Sequence, residues 1–365
     1  MMSDLESFST SYAQARSKFL ARATSAGLTV SSHVLTLPGI DGEELALDVA
    51  WQGARDADKL LIVSSACHGI EGYAGSGVQC ALVHDEAVAQ AARRGGVATL
   101  YLHALNPHGF SWGRRVTSEN VDLNRNFVDF SQPLPANPDY ERLSPLLIPD
   151  RWPPGAANTL RLAAFVVRHG LRAAQTALSG GQYVDPSGLF FGGNAPTWNQ
   201  LTLRRVLREF ASARSRIAWL DVHTGLGRRG AAERILAARF DQPTLARARA
   251  WWGEGVTSTE DESSASAPLN GQMWSVVYEE CPGAEYTGIA LEFGTASRLR
   301  VLQALRADQW LALHPQAPVH LQRSIRRRLR EAFYVETPGW ERSVLEHATA
   351  AVHDALRGLG MPVKS

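Results

Sequence analysis

Cysteine is scarce in the 365-residue chain, and the three present, Cys67, Cys80 and Cys281, are odd in number and form no C-x-x-C pair. That excludes a disulfide framework and a thiolate zinc site, and it fits a reducing compartment. No stretch approaches the ~20 uninterrupted apolar residues of a membrane span. The first residues, MMSDLESFSTSYAQARSKFLARA, mix charges and lack the apolar core of a signal peptide. The expectation is a soluble, cytoplasmic protein. Net charge is missing as well. The 37 Lys plus Arg residues against 36 Asp plus Glu leave no electrostatic footprint for nucleic acid or an anionic membrane. The basic stretch Arg323 to Arg330 (RSIRRRLR) reads as a solvated helix face. No G-x-S-x-G elbow follows a buried strand; Ala74-Gly75-Ser76-Gly77-Val78 comes nearest and falls in a helix, which argues against a serine hydrolase. Gly69, Gly72, Gly75 and Gly77 do not make the G-x-G-x-x-G of a dinucleotide site. Internal repeats and low-complexity tracts are absent too. These exclusions leave a small-molecule or peptide substrate, and nothing in them bears on oligomeric state.

What is present is apolar mass in a regular order. A 45% hydrophobic composition over this length buries a large core without staples. Residues 29–51 read as two strands joined at Gly39-Ile40-Asp41-Gly42, a hairpin at a sheet edge. Residues 59–65 (KLLIVSS) form a buried-type strand, followed by helical spacing from Gly72 to Ala92 and a further strand from Val97 to Ala104. A polar loop then runs from Asn106 to about Phe127. Residues 156–179 and 200–213 read as helices, and the Gly/Pro/aromatic segment between them, around 180–198, as an ordered loop. Buried-type strands come next at Arg216–Val222 and Gly288–Phe293, with mostly helix from Ser297 to Gly360 and a mobile polar loop at 258–267. Alternating strands and helices with all-apolar strands imply an α/β fold: a mixed, mostly parallel central sheet with helices on both faces. One catalytic domain spanning 1–365, with an inserted helical and loop segment at about 130–200, accounts for the whole chain.

Three constellations carry chemistry. His68-Gly69-Ile70-Glu71 comes directly after a buried strand, placing an imidazole and a carboxylate where open α/β sheets put their sites. His223 ends a second buried strand (WLDVH) at a glycine turn, and Glu292 ends a third (LEFG). Each alone is an ordinary polar residue at a strand end; repetition on three strands gives them weight. Two imidazoles and a carboxylate suit a catalytic zinc, and a further carboxylate outside the ligand set suits a general base. The third constellation is the loop Arg114 to Phe127, rich in Arg, Asn and Asp, whose guanidiniums and amides can hold a carboxylate or an oxyanion.

Together these segments resemble the zinc carboxypeptidase family, which shows an H-x-x-E pair, a later arginine, a D-x-N-R-N-F-like segment, a distant His and a Glu toward the C-terminus, in that order. The likeness covers roughly residues 59–127 and 216–295, with Asn120 to Phe127 (NVDLNRNF) its most specific part. It implies a zinc carboxypeptidase-like (phosphorylase/hydrolase-like) fold and one zinc ion held by His68, Glu71 and His223. It further implies Glu292 as general base, Arg115 polarising the scissile carbonyl, Asn124 and Arg125 holding the substrate's terminal carboxylate, and Asp122 orienting His68. The implied activity is amide hydrolysis of a peptide or N-acyl amino acid with a free carboxylate. An N-acyl amino acid hydrolase resembling the succinylglutamate desuccinylase and aspartoacylase group would use the same ligands, and a non-catalytic zinc-binding protein would keep them without turnover. The segment around 180–198 departs from the digestive carboxypeptidases, and no motif chooses between Tyr278 and Tyr286 for the catalytic tyrosine those enzymes carry.

Overall fold

Buried-type apolar runs become the centre of a seven-stranded sheet in this computed structural model, which describes residues 4–361 apart from 262 and 265. The strands are β1 (Thr29–Pro38), β2 (Glu44–Gln52), β3 (Lys59–Ser64), β4 (Val97–His103), β5 (Arg216–Thr224), β6 (Ala232–Leu236) and β7 (Glu285–Phe293), in the order β1-β2-β4-β3-β5-β7-β6. Strands β4, β3, β5 and β7 run parallel, and β2 and β6 are antiparallel to their inner neighbours. The expected hairpin is present at one edge, where β1 pairs only with β2 and alternates between exposed and half-buried residues. Strand β5 is buried along its whole length, as a strand covered on both faces must be.

The helices are α1 (Tyr12–Ser25), α2 (Gly72–Val83), α3 (Glu86–Gly95), α4 (Pro107–Trp112), α5 (Pro138–Leu147), α6 (Ala156–His169), α7 (Leu171–Ser179), α8 (Trp198–Phe210), α9 (Gln242–Trp252), α10 (Val276–Glu280), α11 (Arg298–Leu313), α12 (Val319–Phe333) and α13 (Pro338–Gly360). On one face Ser76 of α2 bonds His103 of β4, at 2.8 Å, while on the other Phe210 of α8 stacks on Trp51 of β2 at 5.8 Å. Both faces are therefore covered.

Some expected elements are cut differently. The helix read from Gly72 to Ala92 is two, because Asp85 caps a new helix by accepting from the amides of Ala87 and Val88. The helix read over 156–179 is broken at Gly170, whose φ of +84° no L side chain adopts comfortably. The polar loop after Asn106 contains α4, capped by Asn106 itself and opened by Pro107. Strand β6 and helices α1, α9 and α10 had no expectation, and α5 falls in the helical and loop segment expected at about 130–200. The stretch 258–267 includes two residues outside the described set; of the others, Ser258, Thr259, Ser264 and Ala267 are buried while Glu260, Asp261 and Ser263 are exposed. Cys67, Cys80 and Cys281 are free and buried, and among the described residues no helix is long and apolar enough to cross a membrane.

Candidate metal centre and catalytic cleft

Parallel register brings the polar strand ends together. His68 lies just past β3, while His223 and Glu292 are direct partners in the β5–β7 ladder. Glu71 reaches both imidazoles: its Oε1 lies 2.8 Å from His68 Nδ1 and its Oε2 3.0 Å from His223 Nδ1. The donor atoms of His68, Glu71 and His223 all lie within 4.8 Å of one another, and all three side chains are buried.

Each imidazole is held from its far side. His223 Nε2 lies 2.6 Å from Asp221 Oδ2, and Asp221 Oδ1 accepts from Ser64 Oγ at 2.6 Å, whose oxygen in turn accepts from Trp219 Nε1 at 2.7 Å. His68 Nε2 lies 3.2 Å from Asp122 Oδ1. A carboxylate behind the outer nitrogen fixes both tautomer and ring orientation, the arrangement that metal-binding histidines use. Asp122 was among the expected residues and Asp221 was not. Its signal was available: residues two apart on a strand share a face, so an Asp at 221 accompanies a His at 223.

Backbone geometry builds the rest. A Cβ on Gly69 would sit 2.0 Å from the Gly109 carbonyl carbon, so the turn carrying His68 and Glu71 packs directly against the first turn of α4. The non-glycine residues with positive φ among those described, Ala66, Asn120 and Phe190, all lie in segments that build the site. Arg115 donates from Nε to Asp122 Oδ2 (3.0 Å) and from Nη1 to Glu71 Oε1 (3.2 Å), and its Nη2 approaches His68 Nε2 at 2.7 Å. The ring of Phe190, from the Gly/Pro/aromatic segment, lies 5.6 Å from the Arg115 guanidinium and 5.7 Å from that of Arg125.

Asn124 and Arg125 line the same cleft but spend their bonds locally. Asn124 Oδ1 accepts from the Met273 amide at 2.8 Å. Arg125 donates from Nε (3.0 Å) and Nη2 (2.5 Å) to the Ser179 carbonyl and from Nη1 to that of Asn124 (2.8 Å). Of the two tyrosines, Tyr286 donates to the Ala237 carbonyl at 2.8 Å on the cleft floor, and Tyr278, on α10, accepts from the Arg239 amide.

Burial alone would raise the Glu71 carboxyl, but the adjoining imidazoles of His68 and His223 outweigh it and hold the group far below the usual carboxylate range. For His223, burial opposes the charged ring, and Asp221 and Glu71 overcome it and push the group well upward. Glu292 goes the other way: burial, then the negative charge of Glu71, push its carboxyl up to about 8, although its Oε1 accepts from the Leu226 amide at 2.8 Å. Four buried carboxylates, Glu71, Asp122, Asp221 and Glu292, thus face two buried guanidiniums, those of Arg115 and Arg125. These carboxylates crowd about two imidazoles, a donor set that a cation would relieve. A second possible donor group, Cys67, Asp221 and His223, suits one less well, because burial pushes the Cys67 thiol well above its ordinary range and metals bind the thiolate.

The sequence pattern of a family described as "Protein of unknown function (DUF2817)" matches residues 8–347. No curated protein matches the chain. Solved structures similar to it include a metallo-carboxypeptidase from Burkholderia cenocepacia (10% identity, 94% of this chain and 68% of that one, TM-score 0.45). Thrombin activatable fibrinolysis inhibitor is similar too (10%, 95% and 74%, 0.47), as is the bovine inhibitor in complex with tick carboxypeptidase inhibitor (12%, 95% and 97%, 0.45). At these identities and scores no chemistry is carried across to this chain.

Proposed function

We propose that this chain, which belongs to the DUF2817 family, is a zinc-dependent amide hydrolase of the carboxypeptidase type. The observation that supports this most is the meeting of His68, Glu71 and His223 at the carboxyl ends of parallel strands, with Glu292 beside His223 in register. In this reading the whole chain is one catalytic domain, the segment at about 130–200 is an insert, and His68, His223 and Glu71 are the residues that would hold one zinc ion. Zinc bound there would supply Lewis acidity, polarising the scissile carbonyl and acidifying an attacking water.

The protein's own groups do the rest. Glu292 takes a proton from the attacking water and returns it to the leaving amine; a cation bound beside Glu71 would offset the negative charge that helps to raise its carboxyl. Asp221 and Asp122 hold the two imidazoles with their outer N–H groups pointing away from the ligand cluster. Arg115 has a conditional role. While His68 keeps its proton on Nδ1, Nε2 accepts from Arg115; once Nδ1 serves as a ligand, Nε2 carries the proton and donates to Asp122. Arg115 Nη2 would then be free to face the substrate and stabilise the developing oxyanion. Asn124 and Arg125, held at the cleft wall by their bonds to the Met273 amide and the Ser179 carbonyl, receive the substrate's terminal carboxylate through N–H groups those bonds do not use.

Substrates are peptides or N-acyl amino acids. The deacylase reading gains support from the cleft, a cavity of about 640 Å³ whose walls beyond the polar cluster are mostly apolar. Turnover of C-terminally varied peptides and of N-acyl amino acids, measured side by side for wild type and Glu292→Gln, tests the proposal. Hydrolysis of either class that disappears in the variant supports it, and no hydrolysis of either by the zinc-loaded wild type contradicts it.

A further inference from the structure

The cavity is larger and greasier than the reacting groups require. It runs from His68, Glu71, His223 and Glu292 into a chamber walled by the insert helices and α11, with Leu143, Leu147, Leu162, Phe165, Leu178 and Leu302 facing it. Polar side chains on its walls, Thr159, Gln175, Ser179, Arg298 and Gln303 on the helices and Thr259, Ser266 and Gln272 before α10, are outnumbered by apolar ones. A peptide threaded past them would bury N–H and C=O groups with too few partners, at a cost of a lost hydrogen bond each. An unbranched hydrocarbon carries no such groups.

The wall itself is unusual. Helix α6 has no fully buried residue: Leu162, Phe165 and Val166 turn half-buried toward the cavity, Val167 lines it while 85% exposed, and Leu160 is 69% exposed. Val167, Leu171 and Leu299 are exposed and also line the cavity, so its mouth is apolar from the solvent inward. From residue 151 to 184 there is no Asp or Glu, so no carboxylate of this segment opposes an anionic, hydrocarbon-bearing ligand at that mouth.

We infer that the cavity houses the long aliphatic acyl chain of an N-acyl amino acid, which makes this protein a long-chain N-acyl amino acid amidohydrolase. The inference rests on the hydrolase reading above for its chemistry and on the chamber for its substrate class. Water adds to the acyl carbon, the C–N bond breaks, the proton taken by Glu292 goes to the leaving nitrogen, and the products are a fatty acid and a free amino acid.

The test is equilibrium binding of N-acylglycines from acetyl to dodecanoyl, below their micelle concentrations, to the full-length Glu292→Gln chain, alongside turnover by wild type. Burial of each methylene is expected to tighten binding about fourfold until the chamber is full. Phe165→Gln and Leu302→Gln, each added to that background, should remove most of the gain for dodecanoylglycine and leave acetylglycine unchanged. Phe165 is half-buried against the core, so circular dichroism and melting temperature are read for each variant beside its parent, and Val167→Gln, at an 85% exposed position of the same wall, gives the comparison with little folding cost. Affinity that stays flat with chain length, or a gain that survives both substitutions, overturns the inference. Length-dependent binding without turnover by the wild type supports the acyl chamber and contradicts the hydrolase reading. Turnover of short substrates with flat binding does the reverse.

Discussion

The strand-end cluster and the helical insert are built on opposite terms. At the ends of β3, β5 and β7, charged groups are buried, bonded to one another and backed by further bonds, so each imidazole has one orientation open to it. In the insert, α6 buries nothing fully and presents hydrocarbon to both cavity and solvent. The first region is fixed because chemistry tolerates little displacement; the second is loosely packed because it has only to enclose something apolar. Reaction type and substrate choice thus lie in separable parts of one chain.

If that division is right, the largest effect comes from the strand ends. Glu292→Gln should lower turnover on the order of a thousandfold while leaving metal content unchanged, measured by steady-state kinetics and mass spectrometry on the same sample. A loss of metal along with turnover would show that Glu292 acts as a ligand instead.

Next in size is an acid effect in the same half of the molecule. His103 is fully buried, stacked on Phe19 at 4.4 Å, and burial lowers its pKa from the ordinary 6.5 to about 4. Between those values the unfolded chain binds the proton more readily than the folded one, so stability falls as pH falls through that window. On the order of 3 kcal/mol is at stake. Denaturant melts at pH 7 and pH 4.5 should show a smaller acid-induced loss in His103→Gln than in wild type; equal losses would mean that the folded chain protonates His103 without penalty.

Asp221→Asn sharpens the comparison at the metal site. Replacing the carboxylate behind His223 should weaken zinc binding roughly ten- to a hundredfold with the fold intact, read by competition against a chelator of known affinity. The smallest effect is expected in the insert: Val167→Ser should change stability by less than about 0.5 kcal/mol, because the side chain is 85% exposed. A large loss there would mean that α6 is packed as tightly as the strands.

The same division governs how much of the molecule was legible in its sequence. Short continuous apolar runs such as KLLIVS and RIAWLDV read as strands buried on two faces, and in such a sheet the residues immediately after them lie at the carboxyl edge. His68, Glu71, His223 and Glu292 were legible as a set for that reason. Strand β6 was not, since AERIL is short, carries two charges and pairs only at the edge. The break at His84-Asp85 was hidden because helical spacing continues across it and neither Gly nor Pro marks it. The cavity was illegible because it is made by residues as far apart as Leu143 and Leu305, brought together by packing that no local pattern records.

The most direct test of the central claim is the metal content of the purified chain by mass spectrometry, compared with His68→Ala. The account predicts about one zinc ion per wild-type chain and its loss in the variant, with protons released when zinc is added back, since the ligands must give up theirs. A wild-type chain that binds no metal even when zinc is supplied would contradict it.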